Sequence, residues 1–343
     1  MILSKLKWGK FVCLILTLII AIGMLSLTTL TAMAEGSTNT IIVGGVELTI
    51  NDTTTVAYAT NDSQGTVTAV GADSDNHTIR FELVENVPTL TLTDATINNA
   101  DGDGIKANGI AITINGIDTS AEGSNSISGS VNGISASGDI IINGKIGDIT
   151  GGSNGGIYST GGNITIAKDA VVGNLHSDWY TLQTDSGNIT IDGKVDDITG
   201  EIGITSEYNH DVIINGETGN INGTTYGIFA YKNLSIAQGA KTGNISGASG
   251  GMMAIADITI EGAAGNISGT HGIYAMGNIY ISGELISVSG QCAIRAINGN
   301  IEISGTVGAI SGNGGSTNTG NSYGIRADNG KVTIKNTVGP ISA

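Results

Sequence analysis

Gly272-Ile273-Tyr274-Ala275-Met276-Gly277-Asn278-Ile279-Tyr280-Ile281-Ser282-Gly283 is one copy of a unit that recurs through the last two thirds of the chain. Each copy reads roughly G-I-x-A, a short turn, G-N-I-x-I-x-G, a second turn, then G-N-I-S-G. The middle motif returns as Gly162-Asn163-Ile164-Thr165-Ile166, Gly187-Asn188-Ile189-Thr190-Ile191 and Gly299-Asn300-Ile301-Glu302-Ile303. Copies follow one another at about 21–25 residues, with one step of about 31 near the end, a period that marks stacked repeats. Within a copy the apolar residues alternate, as in Ile279-x-Ile281, which is the period of a half-buried strand. Gly and Asn cut the strands short and accept the positive φ of tight turns. Three short strands per copy predict one coil of a three-sided parallel β-helix, all-β, with about 22–24 residues per coil. Stacking then sets Ile, Val, Leu and Ala on their own kind between coils. An antiparallel sandwich also alternates, but its strands do not restate one sentence of sequence; the Gly and Asn density excludes a helical solenoid.

Working outward, residues 84–343 carry the repeats. Thr89-Leu90-Thr91-Leu92 and Ala95-Thr96-Ile97 open the array, and roughly ten or eleven coils stacked at about 4.8 Å predict a rod on the order of 50 Å long. Residues 41–83 alternate less regularly, as in Val46-Glu47-Leu48-Thr49-Ile50 and Thr78-Ile79-Arg80-Phe81-Glu82-Leu83. They are assigned as an N-terminal β cap or irregular first coils, because an uncovered first coil invites association. Residues 35–40 are a linker. Residues 1–34 read as a signal peptide: Lys5, Lys7 and Lys10 precede the apolar run from Phe11 to Leu30, and Ala32-Met33-Ala34 fits a cleavage site before Glu35. The run is long enough to span a bilayer, so an uncleaved anchor is the alternative. The expected address is outside the cell, secreted or at the cell surface, with no membrane association after cleavage. The final Val338-Gly339-Pro340-Ile341-Ser342-Ala343 matches a coil interior, Val307-Gly308-Ala309-Ile310-Ser311-Gly312. The array is therefore expected to continue in a longer protein, with Pro340 as a minimal cap the alternative. Gly312 to Tyr323 reads as a polar protrusion.

Composition narrows function further. The 343 residues carry 14 Lys and Arg against 30 Asp and Glu, a formal charge of −16. Loss of the three N-terminal lysines takes it to about −19, which argues against nucleic acid and against polyanionic polysaccharides as partners. Only Cys292 remains beyond the leader, so no intramolecular disulfide forms, and a small buried core residue is its expected role. His77, His176, His210 and His271 lack metal-ligand spacing, and His210 and His271 read as turn residues. Asp101 and Asp103, like Asp73 and Asp75, are close in sequence but show no calcium-loop pattern. Asp196-Asp197 reads as a polar turn with no second acid placed opposite, so no catalytic residues, metal or cofactor are assigned and an enzyme is not expected.

The outward x of G-I-x-A is the informative column. It runs Lys106, Ser135, Tyr158, Thr205, Phe229, Tyr274, Arg295 and Arg326. Aromatics are 4% of the chain, yet three stand here, with Trp179 nearby in an irregular copy. Tyr158, Phe229, Tyr274 and Trp179 are thus candidate ligand-binding residues, with cross-strand stacking that covers the sheet as the plainer role. A second outward column, rich in Thr, is broken by Ile213, Tyr280 and Glu302.

The strand Thr89-Leu90-Thr91-Leu92 followed by G-I-x-A and G-x-[IL]-x-I turns resembles the repeats of Gram-positive surface proteins described as carbohydrate-binding-domain-containing, of adhesin-like type. The resemblance covers about residues 84–343 and implies a right-handed β-helix at the bacterial surface with a glycan or other surface ligand as partner. It transfers no residue-level motif. The expected function is an adhesin-like binding module; a structural stalk, or a polysaccharide lyase or glycoside hydrolase, are the alternatives.

Overall fold

A computed structural model describes residues 38–71, 77–119, 125–313 and 322–343. The N-terminal basic and apolar segment with the expected cleavage site, Asp73 and Asp75, and most of the polar protrusion lie outside the described residues. Among the described residues the fold is an all-β solenoid without helices, of about nine parallel turns. Ten or eleven coils were expected. The I-x-I face stacks eleven strands in parallel, from Val87–Thr93 to Val332–Ile334.

The N-terminal end is antiparallel. Strands β1 (Asn39–Val43) and β2 (Val46–Ile50) form a hairpin whose two-residue turn, Gly44 and Gly45, has φ of 55° and 82°, the positive pair that a tight twisted hairpin demands. The free side of β1 pairs antiparallel with β8 (Ile105–Ala107), setting Ile41 against Ala107. On a second face, β3 (Ala57–Asn61) pairs antiparallel with β4 (Val67–Val70) and β5 (Ile79–Val84). Strand β5 turns through Glu85 and Asn86 into β6 (Val87–Thr93), and β6 begins the parallel ladder on β9 (Ile112–Ile117). The first coil therefore meets antiparallel neighbours that cover its edge, with Ile79 and Phe81 fully buried against it.

From there each coil adds one strand to each of three faces. The first face is the G-I-x-A ladder, in register from Ile105 and Ile134 through Ile157, Leu182, Ile204, Ile228, Met252 and Ile273 to Ile294, all fully buried. The second face stacks the I-x-I strands, so that Ile140, Ile164, Ile189, Val212 and Leu234 form one dry column and Ile142, Ile166, Ile191, Ile214 and Ile236 another. The third is made of the remaining strands, such as Glu284–Gly290 on Thr306–Gly312. On the first face, three positions of the inward Ala column are polar. Ser159 donates to the Gly138 carbonyl at 2.8 Å, Thr184 to that of Gly162 at 2.6 Å, and Ser206 to that of His210 at 2.8 Å, each satisfying a buried turn.

Two corners are held by side-chain ladders. At the first, the residue before each I-x-I strand accepts, through Oδ1, the backbone N–H of its counterpart one coil on. The row is Asp139, Asn163, Asn188, Asp211, Asn233, Asp257, Asn278 and Asn300, with spacings from 2.6 to 3.2 Å. A second row runs Asp148, Asn174, Asp197, Asn220, Asn244 and Asn266. The Asp196-Asp197 turn thus divides its work: Asp197 is a rung of the ladder and Asp196 pairs with Lys194 at 3.3 Å. In neither row do two aspartates occupy adjacent rungs. An ionised Asp only accepts, so each needs a neighbouring Asn whose Nδ2 can donate to it.

Candidate binding groove

The G-I-x-A register fixes which outward side chains are neighbours. In spatial order they are Lys106, Ser135, Tyr158, Gln183, Thr205, Phe229, Met253, Tyr274, Arg295 and Arg326. Gln183 and Met253 are additions to the expected column. Their copies read Thr181-Leu182-Gln183-Thr184 and Gly251-Met252-Met253-Ala254, which the motif does not catch. Tyr158 and Phe229 consequently stand three rungs apart, about 14 Å, and Phe229 and Tyr274 two rungs, about 10 Å. Trp179 is half exposed and meets Tyr180 edge to face at 6.2 Å. The four candidate residues do not form one aromatic surface.

A second outward column runs beside the first, three residues earlier in each strand: Gly155, Tyr180, Ile202, Tyr226, Gly250, His271, Cys292 and Tyr323. Tyr180, Ile202, Tyr226, His271 and Tyr323 are large, and Gly155 stands at the column's end; Gly250 falls between Tyr226 and His271. A groove of about 380 Å³ opens over Gly250, lined by Tyr226, Ser249, Gly250, Met253, Thr270, His271, Tyr274 and Arg295. Tyr226 forms one wall; a Cβ on Gly250 would lie 3.2 Å from its Cδ1. Tyr226 is backed by Phe229 at 5.2 Å, which stacks on Tyr231 at 4.6 Å. The opposite wall is His271 set edge-on to Tyr274 at 5.0 Å, with the Arg295 guanidinium over the Tyr274 ring at 5.9 Å. Burial and then the Arg295 charge hold the His271 pKa below its ordinary value, so the imidazole is neutral at neutral pH and can both donate and accept.

A smaller cavity of about 230 Å³ continues from the groove, lined by His271, Gln291, Cys292, Arg295, Tyr323 and Arg326. Cys292 is buried, 5% exposed, as expected of a small packed residue, and in register it stands between His271 and Tyr323 beside this cavity. Burial pushes its thiol pKa up, and Arg295 and Arg326 offset this only in part. His271 is more than a turn residue, since it forms a wall of both spaces. Nothing in the repeat marks this second column, which is why sequence reasoning passed over Tyr226, Gly250 and His271.

Tyr158 belongs to a different cluster. Its hydroxyl donates to Asp185 at 2.7 Å, and burial together with that carboxylate pushes its pKa well up. Gln183 Nε2 donates to Asp185 at 3.3 Å and to Glu207 at 3.2 Å. Two acids unseen in the sequence pattern are thereby brought together. Burial, then the Asp185 charge, raises the Glu207 pKa above its ordinary 4.5, against the opposing hydrogen bond from Gln183. A carboxyl with a raised folded pKa favours folding while protonated, and that contribution is lost as the pH climbs through the folded value. Glu207→Gln is expected to raise the melting temperature at pH 7 and to match the parent at pH 4, as read by thermal denaturation at the two pH values.

Elsewhere, the Asp103 carboxylate accepts the Asn132 N–H at 3.0 Å, Asn132 Nδ2 at 2.8 Å and Ser135 Oγ at 2.8 Å, a staple between coils. Among the described residues no group of three His, Cys, Asp or Glu is arranged as a metal-ligand set. The chain matches no family model, no curated protein and no solved structure.

Proposed function

We propose that the protein is an exported, surface-displayed binding module that recognises carbohydrate through the groove between Tyr226 and Tyr274, without catalysing a reaction on its ligand. One observation carries this reading: a glycine interrupts a column of large side chains and opens a groove walled by Tyr226, His271 and Tyr274, with Ser249 and Thr270 hydroxyls at its margin. Aromatic faces beside a few polar groups suit the apolar face and hydroxyl edge of a pyranose ring. The long rigid rod suits display away from a surface, and the basic, apolar leader ending at Ala32-Met33-Ala34 supports export. The non-catalytic part is supported by the acid pair: Asp185 and Glu207 are engaged by Gln183 and Tyr158, and neither lines the groove.

The test is titration of a sugar ligand selected from a glycan screen against the parent and Tyr274→Ala. Binding is expected to weaken about tenfold or more, while circular dichroism and the melting curve stay unchanged because Tyr274 lies outside the core stack. Unchanged affinity would overturn the assignment and leave a structural stalk as the reading.

A further inference from the structure

The smaller cavity next to the groove is unusual for this chain. The protein is strongly acidic, with 30 Asp and Glu against 14 Lys and Arg. Yet among the described residues no carboxylate lines this cavity. It is lined by Arg295, Arg326, His271, Gln291, Tyr323 and Cys292. Most of these groups can donate hydrogen bonds.

The two arginines are held in place from behind. Asp328 accepts Nε and Nη2 of Arg295 on one oxygen, at 3.2 and 2.7 Å, and Nε of Arg326 on the other. Arg326 lies over the Tyr323 ring at 4.6 Å, and Arg295 over Tyr274 at 5.9 Å. One carboxylate thus orients two guanidinium groups, leaving one net positive charge and the Nη1 donor of Arg295 and both Nη donors of Arg326 unclaimed by it. The Arg295 hydrogen bond holds the Asp328 pKa below its ordinary value, so the clamp stays ionised at neutral pH.

We infer that this cavity is an anion subsite, and that the groove's ligand is a sugar bearing a single acidic substituent, carboxylate, sulfate or phosphate. The inference rests on the carbohydrate reading of the groove. Arg295 and Arg326 stand one and two rungs beyond Tyr274, about 5 and 10 Å along the stack. A ring seated against Tyr274 places an exocyclic acid group, or that of the next residue, between the two guanidinium groups, where planar donors meet two oxygens at once. The global negative charge repels a polymer with an acid on every residue. It acts weakly on one acid group, because salt screens charges beyond about 8–10 Å. Sparsely charged glycans are therefore selected over polyanions.

The test is NMR titration of the isotope-labelled protein with three probes: methyl glucuronide, galactose 6-sulfate and methyl glucoside. The Arg295 and Arg326 Nε–H signals report the cavity, and the Tyr274 ring signals report the groove. The expected result is that one of the two acidic probes saturates at a concentration at least tenfold below the glucoside and shifts both arginine signals. Arg326→Gln should weaken the preferred acidic probe at least tenfold and so remove that preference. Which acidic probe prevails decides between carboxylate and sulfate chemistry. Equal binding of acidic and neutral probes, with Tyr274 shifting and the arginines silent, would overturn the anion subsite while sparing the groove. Failure of all three to shift either set would overturn both.

Discussion

Asn233→Asp is expected to destabilise the rod by several kcal/mol at neutral pH and to be nearly neutral at pH 3. Asn233 sits between Asp211 and Asp257 in the first corner ladder, receiving the Asp257 N–H at 3.2 Å and donating Nδ2 to Asp211 at 3.0 Å. The substitution keeps the shape and the acceptor but removes the donor. It also sets three carboxylates on successive rungs about 4.8 Å apart, each adjacent pair repelling by about 1–4 kcal/mol depending on local screening. Acidification protonates the row and lifts the repulsion. Urea denaturation at both pH values measures it. An equal loss at both would mean that the missing Nδ2 donor, and not charge, sets the order of Asp and Asn. The separation of the aspartates in both rows then has a physical reason, namely that an acid must be followed by a donor.

Ile228→Ala should cost about 2–5 kcal/mol. Ile228 is fully buried between Ile204 and Met252 in the middle of the first-face stack. Each coil of a solenoid touches only its neighbours, so the cavity weakens two interfaces and nothing else. Denaturation of the variant is expected to shift to lower denaturant and to broaden as the two halves uncouple. A loss below about 1 kcal/mol would contradict the tight central stack, since collapse around a real cavity does not recover that much. The neighbouring Gly227 shows the same tightness in the backbone. A Cβ there would lie 2.7 Å from the Gly251 carbonyl oxygen, so this corner has no room for a side chain.

The solenoid was legible in the sequence because stacking imposes one residue choice on every coil. Ile-x-Ile restated at one period suits a stacked coil and little else, and the Ile columns of the second face follow from it directly. The outward column of Tyr158, Phe229, Tyr274, Arg295 and Arg326 was readable for the same reason. What alignment of motifs does not supply is the rung count where a copy departs from the motif, and so Gln183 and Met253 were missed. The groove itself was hidden for a different reason. It depends on an absence, Gly250, in a column that no motif marks, and on the lean of the Tyr226 ring toward it. Repeats are conservative where they pack and idiosyncratic where they differ. Gly250 differs from Tyr226 and His271 on either side, and that difference is where the ligand site is proposed.

The most direct measurement is a glycan screen of the parent beside Gly250→Ile, each checked for its fold by circular dichroism. The position accepts isoleucine in a sibling coil, at Ile202, and the added Cβ needs only a small movement of the Tyr226 ring. The variant should fold as the parent does and fill the groove. The account predicts that the parent binds a defined set of sugars and that Gly250→Ile binds none of them. The same sugars bound equally by both proteins would contradict it, and would place recognition elsewhere on the rod.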